Sequence, residues 1–183
     1  MLRSHTLLLV LLAFGLLTGG TRAPSIEAAP SGELPMATVI RVDRAERIAE
    51  IVQGYNSVLS DAESARIGRA VVKSADRHGL DPELVTAVLL VESGGRPWAR
   101  SRAGAVGLMQ VMPHMAATMD LAGNLTTIES NVEAGCTILA DNIRRLGEDD
   151  GISAYFWGSN IRGVAYLDRV RAARAAVRQS SES

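Results

Sequence analysis

The sequence predicts an all-α fold, and three observations carry that prediction. Apolar residues recur at helical spacing through most of the chain, and Gly and Pro punctuate it where helices would end. No apolar/polar alternation runs long enough to demand a sheet. The 183 residues fit one domain, and a 47% hydrophobic content can build its core.

The elements follow in order. From Arg41 the pattern turns helical, with Ile48, Ile51, Val52, Tyr55, Val58 and Leu59 marking one amphipathic stretch. Ile67, Ala70, Val71 and Ala75 mark a second helix that ends at His78-Gly79. In the third, Asp81 caps the N-terminus, Pro82 takes the first helical position, and Gly94-Gly95 with Pro97 close the run. A fourth helix follows Pro113 and contains His114. A fifth spans about Glu129 to Arg145, and a short sixth lies near Ile152 to Trp157. The last shows Ile161, Val164, Leu167, Val170 and Val177 along one stripe.

Both flanks differ from this core. Arg3 and His5 precede an apolar run from Thr6 to Leu17, and small residues follow, so 1–23 reads as an export signal. The run is short for a membrane span, and the mature chain is expected to have none. Pro24 disfavours cutting after Ala23, which leaves Gly20 and the Ala28-Ala29 region open as cleavage sites. Residues 24–40 read as a flexible linker, 41–178 as the folded domain and 179–183 as a disordered tail.

Charge and cysteine usage exclude several functions. The chain has 19 basic and 20 acidic residues, and losing Arg3 and Arg22 with the signal leaves 17 against 20. A general nucleic-acid binder needs the opposite balance. Cys136, the single cysteine, permits no internal disulfide and falls among Val132, Gly135, Leu139 and Ile143 at helical spacing, where it reads as a small buried hydrophobe. No Cys/His cluster or calcium-loop spacing occurs, so neither metal nor cofactor is predicted.

Glu92 stands out because it closes an otherwise apolar run, Leu84 to Val91, in the last turn of the third helix. Burial there would raise its pKa, and the negative helix end pushes the same way, giving a carboxylic acid able to donate a proton near neutral pH. The competing reading is a glutamate that reaches solvent from the helix end. After Glu92, Ser101 leads into Gly104-Ala105-Val106-Gly107-Leu108-Met109-Gln110-Val111-Met112-Pro113. Its small residues allow close backbone approach, and Gln110 offers a donor and an acceptor between two thioethers.

Glu92-Ser93, the run at 104–113, Asn131-Val132 with Gly135, and Ala154-Tyr155 with Trp157-Gly158 together resemble the soluble-type lytic transglycosylases. The blocks keep that family's order between about Leu80 and Tyr166. The resemblance implies a lysozyme-like helical domain with a central cleft, acting on peptidoglycan glycan strands in the bacterial periplasm or cell envelope, and open to recruitment by an envelope or secretion assembly. It implies that Glu92 is the single general acid/base of a reaction that ends in a 1,6-anhydro-muramoyl product. It further implies that Ser93 and Ser101 are polar contacts in the cleft and that Gln110 and Met112 touch the sugars. Tyr155 is implied as the hydroxyl that orients Glu92. Asn131 matches the start of the third block, where a helix-start cap competes with a substrate contact.

One position departs from the family pattern, which has Asn after Ala-Tyr where this chain has Phe156. A lost polar contact in a buried site costs about 1–3 kcal/mol, so substrate preference is shifted or activity reduced. On that reading Phe156→Asn raises turnover. Two alternatives stand beside the transglycosylase: a lysozyme-type hydrolase of the same bond, and a catalytically weak or inactive glycan-binding envelope protein.

Overall fold

The structure, a computed structural model, describes residues 35–121 and 123–181. Its helices are α1 (Met36–Tyr55), α2 (Asp61–His78), α3 (Pro82–Ser93), α4 (Pro113–Thr118), α5 (Ile128–Leu146), α6 (Glu148–Trp157) and α7 (Ala165–Ser181). Among the described residues, extended pairing is confined to two isolated bridges, Arg100 with Val106 and Val106 with Val111. The all-α expectation holds.

The centre is α3. Asp81 accepts a hydrogen bond from the Glu83 N–H as N-cap, and Pro82 takes the first position, where its missing N–H costs nothing. Leu84, Val85, Ala87, Val88 and Leu89 are all nearly inaccessible, so the helix is buried on every side. A helix apolar all round needs neighbours all round. It packs on α2 and α7, and also on α1, while α5 packs on α2 and α6. The loop after α3 is tied back to α1 by Asn56, whose amide donates to the Gly95 carbonyl at 3.0 Å.

The second helix is fixed at both ends by local chemistry. Ser60 and Glu63 form a reciprocal capping box, and Gly79 closes the helix after His78. Along α5, Val132, Cys136 and Leu139 are fully buried, as their spacing predicted. Burial pushes the Cys136 thiol far above its ordinary pKa, with the Glu133 charge adding to it.

Several boundaries differ from those the sequence suggested. The predicted export segment and most of the 24–40 linker lie outside the described residues, but 36–40 is helical. No breaker separates Met36 from Tyr55, and Arg41 ties this first part of α1 to α2 through Asp76 at 2.9 Å. α6 starts at Glu148 instead of near Ile152, because Glu148, Asp149 and Asp150 suit the positive end of a helix. α7 continues through 179–181, where the Ser180 and Ser181 hydroxyls donate to carbonyls one turn back.

Two apolar stripes were also over-read. Tyr55 and Val58 are exposed, although Ile48, Val52 and Leu59 are core. Ile161 and Val164 are exposed and precede α7, which buries Tyr166, Leu167, Val170 and Val177 instead.

At its N-terminal end α3 is clamped to α7 by charge. Arg174 and Arg178 both donate to Asp81, and Arg174 reaches Glu148 as well. Burial would raise the Asp81 carboxyl, but its bonds to Glu83, Arg174 and Arg178 outweigh that and hold it well below the usual carboxylate range. A carboxyl depressed by folding stabilises the fold above its unfolded pKa of about 4, and the contribution fades as pH falls below that value. Asp81→Ala loses both cap and clamp, and should cost at least about 1–2 kcal/mol at neutral pH. Thermal melts across pH check this: the gap between wild type and variant should narrow below about pH 4.

Candidate active site

Glu92 lies in the last turn of α3, half-buried, before Gly94 closes the helix. Its Oε1 accepts a hydrogen bond from the Tyr166 hydroxyl at 2.7 Å. Burial raises the Glu92 carboxyl above the ordinary glutamate range, against the pull of that hydroxyl and of the Arg169 charge. Tyr166 is only 2% exposed. Burial and the neighbouring Glu92 push its phenol pKa up, so it stays a protonated donor.

The hydroxyl on Glu92 therefore comes from α7, and the expectation for Tyr155 is corrected. The Tyr155 hydroxyl donates to the Met109 carbonyl at 2.8 Å. Tyr155 thus fastens α6 to the 104–113 loop, although it lies near enough for the Glu92 charge to raise its pKa after burial has done most of that work. Residue spacing could not separate the two tyrosines. A signal for Tyr166 was present, since a large phenol beside apolar helix positions needs a partner once buried. Arg169, one turn further along α7, sits 5.7 Å from the Tyr166 ring centroid in cation–π range.

The loop before α4 is held from behind by Asn131, another correction. Asn131 is 1% exposed and lies inside α5, after the helix start at Ile128. Its amide nitrogen donates to the carbonyls of Val106 and Leu125, and its oxygen accepts from the Met109 N–H. A side chain so occupied is neither a sugar contact nor a helix cap. Gly107 is required beside it: φ is +78°, and a Cβ there would lie 2.4 Å from the Asn131 amide nitrogen. Gly135, a turn along α5, similarly makes room for Met109, whose sulfur would stand 2.4 Å from any Cβ.

Ser93 is also buried, 1% exposed, and works on the backbone. Its hydroxyl donates to the Leu89 carbonyl and accepts from the Arg96 N–H. It shapes the exit from α3 and does not reach a cleft. Ser101 is exposed and accepts from the Ala105 N–H at 3.0 Å, closing the turn that leads into the loop. Gln110 is held at an uncommon φ of +48°. Its amide nitrogen donates to the Gly107 carbonyl at 2.9 Å and to Ala99 at 3.3 Å, leaving the amide oxygen out of these bonds.

Gln110 and Met112 meet Tyr155, Phe156 and Trp157 around a cavity of about 530 Å³, which α4 and the end of α5 complete. That volume falls within the range of ligand-binding clefts. Trp157 contributes an indole N–H that is buried without a hydrogen-bond partner. Glu92 is not among the lining residues. It connects to the cavity through Tyr166, against which Phe156 stacks with ring centroids 4.9 Å apart and planes 15° from parallel.

Three carboxylates of α5 are engaged elsewhere. Glu129 pairs with Arg66, Glu133 with Ser74, Arg77 and His78, and Asp141 with Arg144 and Arg145. Asp120 is exposed at a positive φ beyond α4.

Comparison with known proteins finds relatives over parts of the chain. The transglycosylase of Enterobacteria phage PRD1 is 36% identical over 85 residues, 46% of this chain and 32% of that protein. The endo-type membrane-bound lytic murein transglycosylase A of Klebsiella pneumoniae is 51% identical over 41 residues, 22% of this chain and 20% of that protein. The chain spans a third or less of the length of these curated relatives. A solved structure of the lytic transglycosylase Slt from Pseudomonas aeruginosa, in an inactive mutant form, matches with a TM-score of 0.46 at 21% identity, covering 75% of this chain and 27% of that one. The transglycosylase SLT domain family matches residues 69–169, more than half of the 183 residues, and the chain belongs to that family.

Proposed function

We propose that the protein is a peptidoglycan lytic transglycosylase that cleaves the β-1,4 bond between MurNAc and GlcNAc. The observation that carries this reading is the half-buried Glu92, its carboxyl shifted toward the protonated form and its oxygen fixed by Tyr166. A positioned acid with a raised pKa is what protonation of a glycosidic oxygen requires.

Most glycosidases need two carboxyl groups about the scissile bond. Here the candidate second acids on α5 are committed to ion pairs, which supports a mechanism with one. Glu92 protonates the glycosidic oxygen as the bond to C1 of the muramoyl sugar breaks. The resulting carboxylate then takes the proton from the C6 hydroxyl of the same sugar. That oxygen attacks C1, closes the 1,6-anhydro ring and returns Glu92 to its protonated state. The N-acetyl group assists by stabilising the cation-like centre. Because the nucleophile belongs to the substrate, the protein needs only an acid, a shaped groove and orienting groups.

Gln110, Met112 and Tyr155 line the cavity and act as sugar contacts, with Ser101 setting the turn that presents them. A peptidoglycan substrate supports action outside the cytoplasm, as do the export signal expected at 1–23 and a relative named as a membrane-bound murein enzyme. No helix among the described residues is long and apolar enough to cross a membrane. Glycan strands are the partner, and an envelope or secretion assembly would deliver the enzyme to them.

Digestion of purified sacculi, with the products weighed, tests the reaction. Anhydro-ended muropeptides, lighter by one water than hydrolysed ones, are expected. Reducing ends would replace the assignment with a hydrolase, and binding without products would replace it with a glycan-binding protein. Glu92→Gln should lower turnover by about 10²–10⁴-fold with the fold intact. Tyr166→Phe should lower kcat by about ten-fold or more, the worth of a hydrogen bond to a charged group. Since that bond favours the carboxylate, its loss raises the Glu92 pKa further. The basic limb of the pH–rate profile should therefore move to higher pH.

A further inference from the structure

Phe156 occupies a place that its side-chain chemistry alone does not explain. The residue is 51% exposed, yet one face of its ring lies on Tyr166 in an offset stack, with centroids 4.9 Å apart. Trp157 meets its edge at 4.9 Å and 87°, a T-shaped contact. Arg169 approaches the same Tyr166 ring at 5.7 Å. Tyr166 is thus held by three groups from three helices: Phe156 of α6 on its ring, Arg169 of α7 near its ring, and Glu92 of α3 on its hydroxyl. Phe156 is also a lining residue of the cavity, so its ring meets both that space and the tyrosine bonded to the acid.

We infer that Phe156 is a positioning residue for Glu92, acting through Tyr166, and that its ring sets the hydroxyl of Tyr166 on the carboxyl. The inference rests on Glu92 being the acid of the proposed reaction. It reverses the expectation drawn from sequence, in which Phe156 was a lost polar contact. An asparagine here cannot stack on Tyr166, so Phe156→Asn should lower turnover instead of raising it.

The stack forms one wall of the enclosure of Tyr166, which is buried in the core. Tyr166 is the second residue of α7, next to a stretch from 158 to 164 that has no regular helix. Removing the Phe156 ring opens space on the face of Tyr166 that it covers, and a tilt of the phenol into that space moves the oxygen most. A bond of 2.7 Å tolerates little such movement. A residue that only stacked on a sugar would change substrate binding and leave the free enzyme's acid as it was. A positioning residue changes the acid itself.

The test follows the Glu92 carboxyl by ¹³C NMR in the protein without substrate, alongside kinetics on sacculi. Phe156→Ala is expected to move the Glu92 titration midpoint upward, in the direction that Tyr166→Phe moves it. Phe156→Tyr, which keeps the ring, should leave it at the wild-type value. Adding Phe156→Ala to Tyr166→Phe should move it no further, because the path through the hydroxyl is already cut. On sacculi, kcat should fall about three- to ten-fold for Phe156→Ala, the worth of an aromatic pair, while KM changes by less than about two-fold. A shift of equal size in the Tyr166→Phe background, or a change in KM alone, would overturn the inference. The two readings separate cleanly. Turnover that survives Glu92→Gln removes Glu92 as the acid of the proposed reaction, while the titration coupling still shows that Phe156 acts on its carboxyl through Tyr166. Turnover lost in Glu92→Gln with an unmoved titration in Phe156→Ala overturns the positioning role alone.

Discussion

The burial of α3 is the constraint from which the remaining arrangement follows. Its flanks are apolar and covered by α1, α2 and α7, so polar interactions are available only at its two ends. α7 engages both. Near one end of the contact Arg174 and Arg178 hold Asp81, and near the other Tyr166 holds Glu92. Eleven residues separate the two acids on α3 and eight separate Tyr166 from Arg174 on α7, spans of about 16 and 12 Å at helical rise. Two antiparallel helices pinned at both ends cannot slide by a turn without breaking one pin. The register of the acid is thereby set by the far end of the helix that carries it.

The loop from Gly104 to Met112 is positioned by a different device, one buried amide. Asn131 exchanges three hydrogen bonds with backbone groups of Val106, Leu125 and Met109, and Tyr155 adds a fourth from α6 to the Met109 carbonyl. Irregular backbone normally depends on water for its polar groups, and here side chains from two helices supply them. The uncommon backbone angle at Gln110 is held by the same scaffold. The loop is therefore part of the rigid frame, and the groups it presents are set before any ligand arrives.

Much of this was legible from local chemistry. The Asp81-Pro82 start, the Gly94 stop and the placement of Glu92 in the last turn depend on residues within one or two turns, and the sequence states them directly. Cys136 was readable because period alone puts it on the inner face of α5. What could not be read depends on residues far apart in the chain. Tyr155 and Tyr166 are both phenols near the matched blocks, and only the crossing of α7 over α3 decides which one reaches an acid 74 positions away. Asn131 and Ser93 look like polar site residues until their neighbours show that every bond is spent on backbone. The stacking partner of Phe156 was hidden for the same reason, since Tyr166 lies on another helix.

The solitary thiol has a consequence of its own. Cys136 is fully enclosed between α5 and its neighbours, and its proton is held far more tightly than in a free cysteine. Oxidants and alkylating reagents act on the thiolate, so the folded chain offers them almost nothing to attack. With one sulfhydryl per molecule, each modification records a separate excursion in which the inner face of α5 came open. The domain thus carries a built-in counter of its own breathing, located in the helix that supports the loop through Asn131.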